Sequence, residues 1–382
     1  MTRDLFFLAL ALFTWGMGEG AYLAFQPLYL QQLGARPVDI GLILGGFGLS
    51  AMLSHVPAGY LSDKIGRRPL IWAGWFLGLA GAWLMALAGS LVLFVTGMMV
   101  VALGLFVMAP MDSYIAIARG KWSVGRAFTV ISASYNMGGT IGPLIGGAIG
   151  EGAGVKIIFL ASACLFVVSF LFVLFLRPQP IIHPMALETR EERRLNPRHL
   201  GYFGLLFLAS FAMYLPQPLS PNFLQNQRGL SLLQIGQLYS ICGIGIVLLN
   251  LILGHLEARR GFIIGQIAVA AFSLLIWRGT SLVWYAFGYF LLGGFKTARS
   301  LGISQVRLLV HPARMGLAFG LTESLSSLAM VLAPALAGLL YERDPELVYI
   351  LSIGLILLVV VISAYITNFL PAAKPSEEVL TA

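Results

Sequence analysis

Charged residues are scarce in this sequence. Its 16 acidic and 24 basic residues amount to 10% of 382 residues, whereas about a quarter of a typical soluble domain is charged. Hydrophobic residues make up 58% of the chain, which leaves too little polar surface to cover a soluble fold of this length. The composition therefore excludes an ordinary soluble globular protein and predicts that apolar side chains face a lipid bilayer.

Cysteines and the common catalytic motifs are also rare or missing. The two cysteines, Cys164 and Cys242, lie in separate apolar runs, so neither a disulfide framework nor a cysteine metal site is indicated. The patterns GxxxxGK[ST], HExxH and GxSxG are absent, which argues against a nucleotide-driven or hydrolytic mechanism. We expect no metal and no cofactor, and a proton gradient as the energy source.

Twelve apolar runs follow one another along the chain, most of them long enough to cross a membrane. The first six are approximately Leu5 to Leu33, Ile40 to Leu61, Leu70 to Ala88, Leu91 to Ala118, Gly125 to Ile149 and Val155 to Leu176. The second six are approximately Leu200 to Leu224, Leu232 to Leu256, Phe262 to Trp277, Leu282 to Leu308, Arg314 to Leu340 and Leu347 to Leu370. We call them spans 1 to 12. They predict an N-terminal bundle (1–176), a polar linker (177–199), a C-terminal bundle (200–370) and a polar tail (371–382).

The basic residues lie mainly on one side of these spans. If the N-terminus is inside, 17 Lys and Arg residues fall in inside segments, five in outside loops and two within a span. Positively charged loops stay in the cytoplasm, so both termini are predicted to be cytoplasmic. The net charge of +8 is then a topology signal, and we expect no nucleic-acid partner.

The two halves of the sequence resemble each other. At an offset near 190, QPLYL (Gln26 to Leu30) aligns with QPLSP (Gln217 to Pro221), and GPLIGG (Gly142 to Gly147) aligns with APALAG (Ala333 to Gly338). GYLSDKIG aligns with GHLEARRG (Gly254 to Gly261) at an offset of 195. An even number of spans per half gives both halves the same orientation, and repeats of this kind place a substrate site at their interface.

The loop after span 2 reads GYLSDKIGRR, from Gly59 to Arg68. This loop and the six-plus-six arrangement resemble the major facilitator superfamily, whose signature is G-x-L-x-D-x-x-G-R-[RK]. The resemblance implies an all-α membrane protein with 12 transmembrane helices in two pseudo-symmetric six-helix bundles. It also implies that the loop latches the two halves in one conformation, a role that falls on Gly59, Asp63, Gly66, Arg67 and Arg68. The alternative is a plain positively charged cytoplasmic loop.

Span 5 contains GGTIGPLIGG, from Gly138 to Gly147. The element resembles the G-x-x-x-G-P-x-x-G-G pattern found mostly in exporter branches of the same superfamily, and so favours export. Small residues let helix backbones pack closely, and a proline bends a helix. The predicted packing residues are Gly138, Gly142, Pro143, Gly146 and Gly147. The alternative is the small-residue packing common to any membrane helix bundle.

Five ionisable residues lie inside spans: Glu19, Asp112, Lys296, Arg299 and Glu323. Charges at this depth are costly and are therefore candidates for function. The three carboxylates are predicted to couple transport to protons, with Glu19 first. The alternative is that Asp112 or Glu323 forms a fixed ion pair with Lys296 or Arg299 and serves packing only.

Neutral polar and aromatic side chains mark a candidate substrate site on the same group of spans. The resemblance implies a cavity lined mainly by spans 1, 4, 7 and 10, flanked by spans 2, 5, 8 and 11. Together with Lys296 and Arg299, the candidates on these spans are Tyr22, Gln26, Tyr114, Tyr135, Asn136, Tyr214, Gln217, Tyr239 and Asn250. Taken alone, such residues more often serve packing or hydrogen bonding between helices, which is the alternative for each of them.

We expect a monomeric, proton-coupled transporter in a prokaryotic cytoplasmic membrane that exports a hydrophobic or amphipathic small molecule by rocking of its two halves. The second hypothesis is a transporter whose Lys296 and Arg299 bind an anionic metabolite, sugar acid or lipid headgroup. A third is an intramembrane enzyme or a receptor, and the sequence supplies no nucleophile and base pair for the former.

Overall fold

We describe the protein from a computed structural model, which covers residues 1–179, 197–306 and 315–367, with the side chains of all these residues except 55–64, 197–200, 315–320 and 367. In the first half the helices are α1 (Arg3–Leu23), α2 (Gln26–Gln32), α3 (Pro37–Ile65), α4 (Arg67–Leu87), α5 (Leu91–Gly104), a 3-10 turn (Leu105–Val107), α6 (Met108–Ala118), α7 (Val124–Ala153) and α8 (Val155–Leu174). In the second half they are α9 (Pro197–Tyr214), α10 (Ser220–Arg228), α11 (Leu232–Gly254), α12 (Ala258–Arg278), α13 (Leu282–Leu292), α14 (Gly294–Gln305), α15 (Met315–Arg343) and α16 (Leu347–Thr367).

The helices fall on the twelve predicted spans. By length and composition, nine helical segments of the described residues are able to cross a membrane. Large apolar side chains stand exposed on the outer surface, among them Val92 at 77%, Val283 at 69% and Val361 at 66%. A soluble protein does not tolerate such an apolar exterior. The fold is therefore an all-α membrane fold, as the sequence predicts.

Spans 1, 4, 7 and 10 each consist of two helices. Span 1 breaks between α1 and α2 and span 7 between α9 and α10, where Pro27 and Pro221 lie in the first turn of the second helix. Span 4 passes through the 3-10 turn, and span 10 breaks at Gly293. Proline and glycine weaken a continuous helix, and broken helices in corresponding positions of two halves are typical of the binding centre of a transporter.

Serine side chains cap the starts of α5, α7 and α11. Ser90, Ser123 and Ser231 each accept a hydrogen bond at their hydroxyl from the backbone N–H three residues later. Such caps satisfy donors that the first helical turn leaves free. Gly66 and Gly154 join successive helices at φ 84° and 87°, a conformation that side chains with a Cβ rarely adopt.

Each half is held together by packing among its own spans. In the first half α1 packs on α7 and α8, and α4 packs on α5 and α8. In the second half α12 packs on α13, α14 and α16, and α9 packs on α15. The halves meet mainly through two helix pairs, α3 with α15 and α7 with α11, and α2 and α10 make a smaller contact. The four helices of the two main pairs are spans 2, 11, 5 and 8.

Among the residues whose side chains are described, the closest contacts between the halves lie on one side of the bundle. We call the side on which α1 begins the N-terminal side, and the opposite side the far side. On the far side Gly41 of α3 lies against Pro334 of α15, and Gly236 of α11 lies against Pro143 and Gly147 of α7. Glycine permits backbones to approach this closely. The structure is therefore closed on the far side.

Small residues on α7 also govern packing inside the first half, which a substitution tests. A Cβ at Gly138 would lie 2.7 Å from the backbone nitrogen of Met17 on α1, whereas a Cβ at Gly204 meets nothing within 4 Å. Gly138→Ala is expected to destabilise the protein by about 1–3 kcal/mol through overpacking. Gly204→Ala, also inside a helix, is expected to leave stability unchanged or raised. Thermal unfolding in detergent measures both, and equal melting temperatures for the two variants would contradict this packing.

Candidate functional site

Glu19 lies on α1 close to the break in span 1. The hydroxyl of Tyr135, on α7, donates a hydrogen bond to Glu19 Oε2 at 2.9 Å. One helical turn before Glu19, the ring of Trp15 stacks on Phe166 with centroids 4.1 Å apart. The carboxylate is partly buried. Span 5 thus holds a carboxylate of span 1 beside a wall of aromatic rings.

A cavity of about 240 Å³ lies inside the first half, between spans 1, 3, 4 and 5. We call it the side cavity. Its walls are mainly apolar and include Trp75, Met108, Met111 and Phe128, together with Trp15. Two carboxylates, Glu19 and Asp112, also line it. An apolar pocket with a few charged groups suits a small organic molecule that carries a polar or charged end.

A second cavity, of about 250 Å³, lies between the two halves. We call it the central cavity. Its lining includes one polar residue from each of five spans: Glu19, Asn136, Gln217, Tyr239 and Lys296. Asn136 and Gln217 donate hydrogen bonds from their amide groups to carbonyls of their own spans, each at 2.8 Å. Together with Tyr135, which also lines this cavity, five of the predicted substrate residues therefore come together around Glu19.

Glu19 and Tyr135 line both cavities. The side cavity brings Asp112 to one side of this pair, and the central cavity brings Lys296 to the other. Among the described residues no ion pair within 4.0 Å involves Glu19, Asp112 or Lys296. The arrangement makes Glu19 reachable by a ligand or a proton from either space.

Arg299 and Glu323 meet in the second half, away from Glu19. A guanidinium nitrogen of Arg299, on α14, forms an ion pair with the carboxylate of Glu323, on α15. Neither residue is part of the lining of the two cavities. Of the two basic residues inside span 10, Arg299 is paired within its own half and Lys296 lies in the central cavity.

Other predicted site residues lie beside the cavities or in the packed interior. The ring of Tyr214 lies 6.0 Å from that of Phe295, which lines the central cavity, and Asn250 accepts a hydrogen bond from Thr297 at 2.7 Å. Tyr22 and Gln26 are buried at 2% and 3% exposure. Tyr22 packs on Phe159 and Phe166, and Tyr114 donates a hydrogen bond to the carbonyl of Arg177 at 3.0 Å. A substrate role for these residues stays a prediction.

The lining contains residues that sequence reasoning did not select. Trp15 was detectable in principle, because it precedes Glu19 by one helical turn and so shares its face. Trp75, Met108, Met111 and Phe128 carry no such signal, since apolar residues in apolar helices look alike. They line a cavity only because four spans diverge at their level.

The comparisons with known proteins agree with this architecture. The family model of the Major Facilitator Superfamily matches residues 8–261 and 202–380. The chain belongs to this superfamily (MFS). It is therefore an MFS transporter, and its fold class and family are confirmed.

Curated relatives of this MFS chain include two resistance proteins. It is 23% identical over 380 residues to the quinolone resistance protein NorA of Staphylococcus aureus, covering 95% of this chain and 96% of that one. It is 21% identical over 351 residues to multidrug resistance protein 2 of Bacillus subtilis, covering 86% of each chain. Among solved structures, the nucleoside transporter NupG shares the fold with a TM-score of 0.82 at 14% identity, covering 97% of this chain and all of that one.

The MFS signature loop is described only in part. Gly59 and Asp63 lie outside the described side chains. Arg67 donates a hydrogen bond from Nε to the hydroxyl of Ser113, on span 4, at 2.6 Å. Arg68 lies over the ring of Trp72 at 4.0 Å. The hydrogen bond of Arg67 ties the start of α4 to span 4, whereas the contact of Arg68 lies within α4 itself. A latch between the halves stays a prediction.

The small residues of span 5 face two neighbours. Gly138, Gly142 and Gly146 lie against the backbone of α1, while Pro143 and Gly147 lie against α11 of the other half. Pro143 lies within a continuous α7. All five predicted packing residues thus stand at helix contacts.

The pair formed by Arg299 and Glu323 offers a test of the packing interpretation. Glu323→Gln removes the charge that Arg299 faces, so the melting temperature is expected to fall by a few degrees. The contribution is on the order of 1 kcal/mol, because 54% of the Glu323 side chain is exposed. The double variant Arg299→Gln with Glu323→Gln is expected to recover most of the loss. A double variant less stable than Glu323→Gln alone would contradict a simple pair.

Proposed function

We propose that this MFS transporter exports a hydrophobic or amphipathic small molecule and couples export to proton entry through Glu19. The observation that carries the proposal is the position of Glu19 at the junction of the side cavity and the central cavity. A group that both cavities reach is available to the substrate and to the proton in turn. The two halves would rock around this junction.

The lining of the side cavity supports an apolar cargo. Trp15, Trp75 and Phe128 provide aromatic faces, and Met108 and Met111 provide flexible thioethers. Methionine adapts its shape to different ligands, and aromatic faces attract cations as well as apolar rings. The two carboxylates of the cavity give a positive end of the cargo a partner. An amphipathic molecule with a basic group meets each of these features.

Competition at Glu19 links the cargo to the proton. When Glu19 is ionised, it accepts the hydrogen bond from Tyr135 and attracts a positively charged cargo. When it takes up a proton, the attraction is lost and the neutral carboxyl group is easier to keep in an apolar setting. One proton bound therefore favours release of one positive charge. Asp112, on the part of the side cavity formed by span 4, is a second proton site, and Glu323 is a third if its pair with Arg299 opens.

The relatives support the direction of transport. NorA is named for quinolone resistance and the Bacillus subtilis protein for multidrug resistance. Resistance by transport requires removal of the drug from the cell. The exporter-like element of span 5 favours the same direction for this chain, which we propose to be an efflux protein.

The remaining features of the proposal concern the whole molecule. We propose an N-terminal bundle at 1–176, a linker at 177–199, a C-terminal bundle at 200–370 and a tail at 371–382. Both termini lie in the cytoplasm of a prokaryotic cell, the N-terminal side faces the cytoplasm, and the far side faces outwards. The protein works as a monomer and uses no cofactor.

The proposed role of Glu19 is tested by dye uptake into everted vesicles, whose cytoplasmic face points outward. A fluorescent cationic dye is added outside vesicles with an acidic lumen, and Glu19→Gln is expected to reduce uptake to the level of vesicles without the protein, because glutamine cannot take up the proton. Glu257→Gln is the matched control, since Glu257 is an exposed residue that pairs with Arg260. Unchanged transport by Glu19→Gln would refute the assignment.

A second candidate function rests on Lys296. This residue lines the central cavity, and no ion pair of the described residues involves it. A free ammonium group in a cavity suits the anionic group of a metabolite, a sugar acid or a lipid headgroup. This candidate keeps the transport mechanism and changes the cargo.

Thermal shifts of purified protein distinguish the two cargo classes. For an exporter of basic amphiphiles, lipophilic cations are expected to raise the melting temperature by several degrees, because a ligand that binds only the folded state stabilises it. Lys296→Ala is expected to preserve this response. A response confined to organic anions or lysolipids, and lost in Lys296→Ala, would favour the anionic cargo instead.

A further inference from the structure

The far ends of spans 5 and 11 carry the same three residues at the same spacing. On α7 they are Pro143, Gly147 and Glu151, and on α15 they are Pro334, Gly338 and Glu342. The spacing of four residues places each trio along one face of its helix. The two trios are related by the same offset near 190 that relates the two halves. We call each trio a stripe. Each half of the repeat therefore carries one stripe, and each stripe ends in a carboxylate.

Each stripe lies against the start of a helix in the other half. Gly236, near the start of α11, lies against Pro143 and Gly147. Gly41, near the start of α3, lies against Pro334 and Gly338 in the same manner. The contacts are equivalent under the repeat, because Gly41 and Gly236 are separated by the second offset of 195.

The carboxylates at the ends of the stripes bind the first turns of these helices. The backbone N–H of Leu233, in the first turn of α11, donates to Glu151 Oε2 at 3.3 Å. The backbone N–H of Val38, in the first turn of α3, donates to Glu342 Oε2 at 3.4 Å. First-turn N–H groups lack partners inside their helix, and the positive end of the helix dipole attracts a carboxylate.

One of the two contacts has an additional charge. Arg36, the residue before α3, places a guanidinium nitrogen 3.8 Å from Glu342 Oε1. The other half has Ser231 at the corresponding position. The contact between spans 2 and 11 therefore includes an ion pair. The contact between spans 5 and 8 depends on the hydrogen bond and the helix dipole at the start of α11.

A third contact joins the halves on the same side. Asn222, on α10, donates a hydrogen bond from its amide to Gln31 Oε1, on α2, at 2.6 Å, and Asn226 donates to the same oxygen at 3.1 Å. These helices are the outer parts of spans 1 and 7. All three contacts cross between the halves, so rocking that opens the far side has to break each of them.

We propose that Glu151 and Glu342 form a two-point clasp that holds the far side closed. The clasp rests on the rocking of the two halves, and it does not depend on the proposed cargo or on proton coupling at Glu19. Both carboxylates are exposed, so each contact is weak and exchanges readily with water. Such a clasp shifts the balance between closed and open far sides without blocking the cycle.

The balance is measured by distances between spin labels. Labels at Gln32 and Gln227, at the exposed ends of α2 and α10, report the opening of the far side by double electron–electron resonance in nanodiscs. The background carries Cys164→Ser and Cys242→Ser and is used without substrate or gradient. Glu151→Ala and Glu342→Ala are each expected to raise the ratio of open to closed populations about two- to fivefold. The double variant is expected to show roughly the product of the two factors.

A matched control separates the clasp from a general loss of far-side charge. Glu346 is also a far-side glutamate, but it accepts its hydrogen bond from Trp277 within its own half, at 2.8 Å. Glu346→Ala is expected to leave the distance distribution unchanged. Glu151→Gln and Glu342→Gln, which keep a neutral acceptor, are expected to give shifts between those of the parent and the alanine variants.

Three results would overturn the clasp. They are a double alanine variant with the distribution of the parent, a shift confined to one of the two glutamates, and an equal shift in Glu346→Ala. Melting temperatures of all variants show whether each remains folded. Because the experiment uses no substrate and no pH gradient, a failed clasp leaves the proposed export function standing, and failed dye efflux leaves the clasp standing.

Discussion

The close packing of α7 against two neighbours is the constraint on which the rest of the structure depends. One face of α7 lies on α1 through Gly138, Gly142 and Gly146, and another lies on α11 through Pro143 and Gly147. The first contact brings Tyr135 within hydrogen-bond distance of Glu19. The second joins the two halves on the far side. A single helix thus sets the geometry of the candidate site and takes part in closing the far side.

The same packing explains why the polar groups gather where they do. Membrane helices bury few charges, and those that remain need a partner or a cavity. Arg299 forms an ion pair with Glu323 on the next span of the same half. Glu19, Asp112 and Lys296 lie in the walls of cavities. All four spans that break into two helices line one or both of these cavities. Polar residues, helix breaks and open space therefore coincide near the middle of the bundle.

The sequence predicts much of this protein because its strongest signals are local or periodic. Long apolar runs fix the number and approximate position of the spans, and the repeat relates the halves. The loop from Gly59 to Arg68 resembles the signature of the family, and the match to the family model confirms the family. Small residues of span 5 were predicted to pack, and each of them lies at a helix contact. Such features can be predicted from the sequence because each depends on a few neighbouring residues.

Other features depended on the tertiary structure. The sequence predicts span 1 as one run from Leu5 to Leu33, but the helix breaks before Gln26, because the proline that follows weakens continuation and neighbouring spans stabilise two pieces. The sequence marks Tyr22 and Asn136 as equal candidates for the substrate site. In the structure Tyr22 packs in the core, whereas Asn136 lines the central cavity.

The amino-acid sequence by itself determined the membrane class, the twelve spans and the family, since hydrophobicity and motif spacing act along the chain. Only the tertiary structure decided which residues meet around Glu19 and which carboxylates bridge the halves, because contacts such as those of Tyr135 with Glu19 and of Leu233 with Glu151 join residues far apart in the sequence.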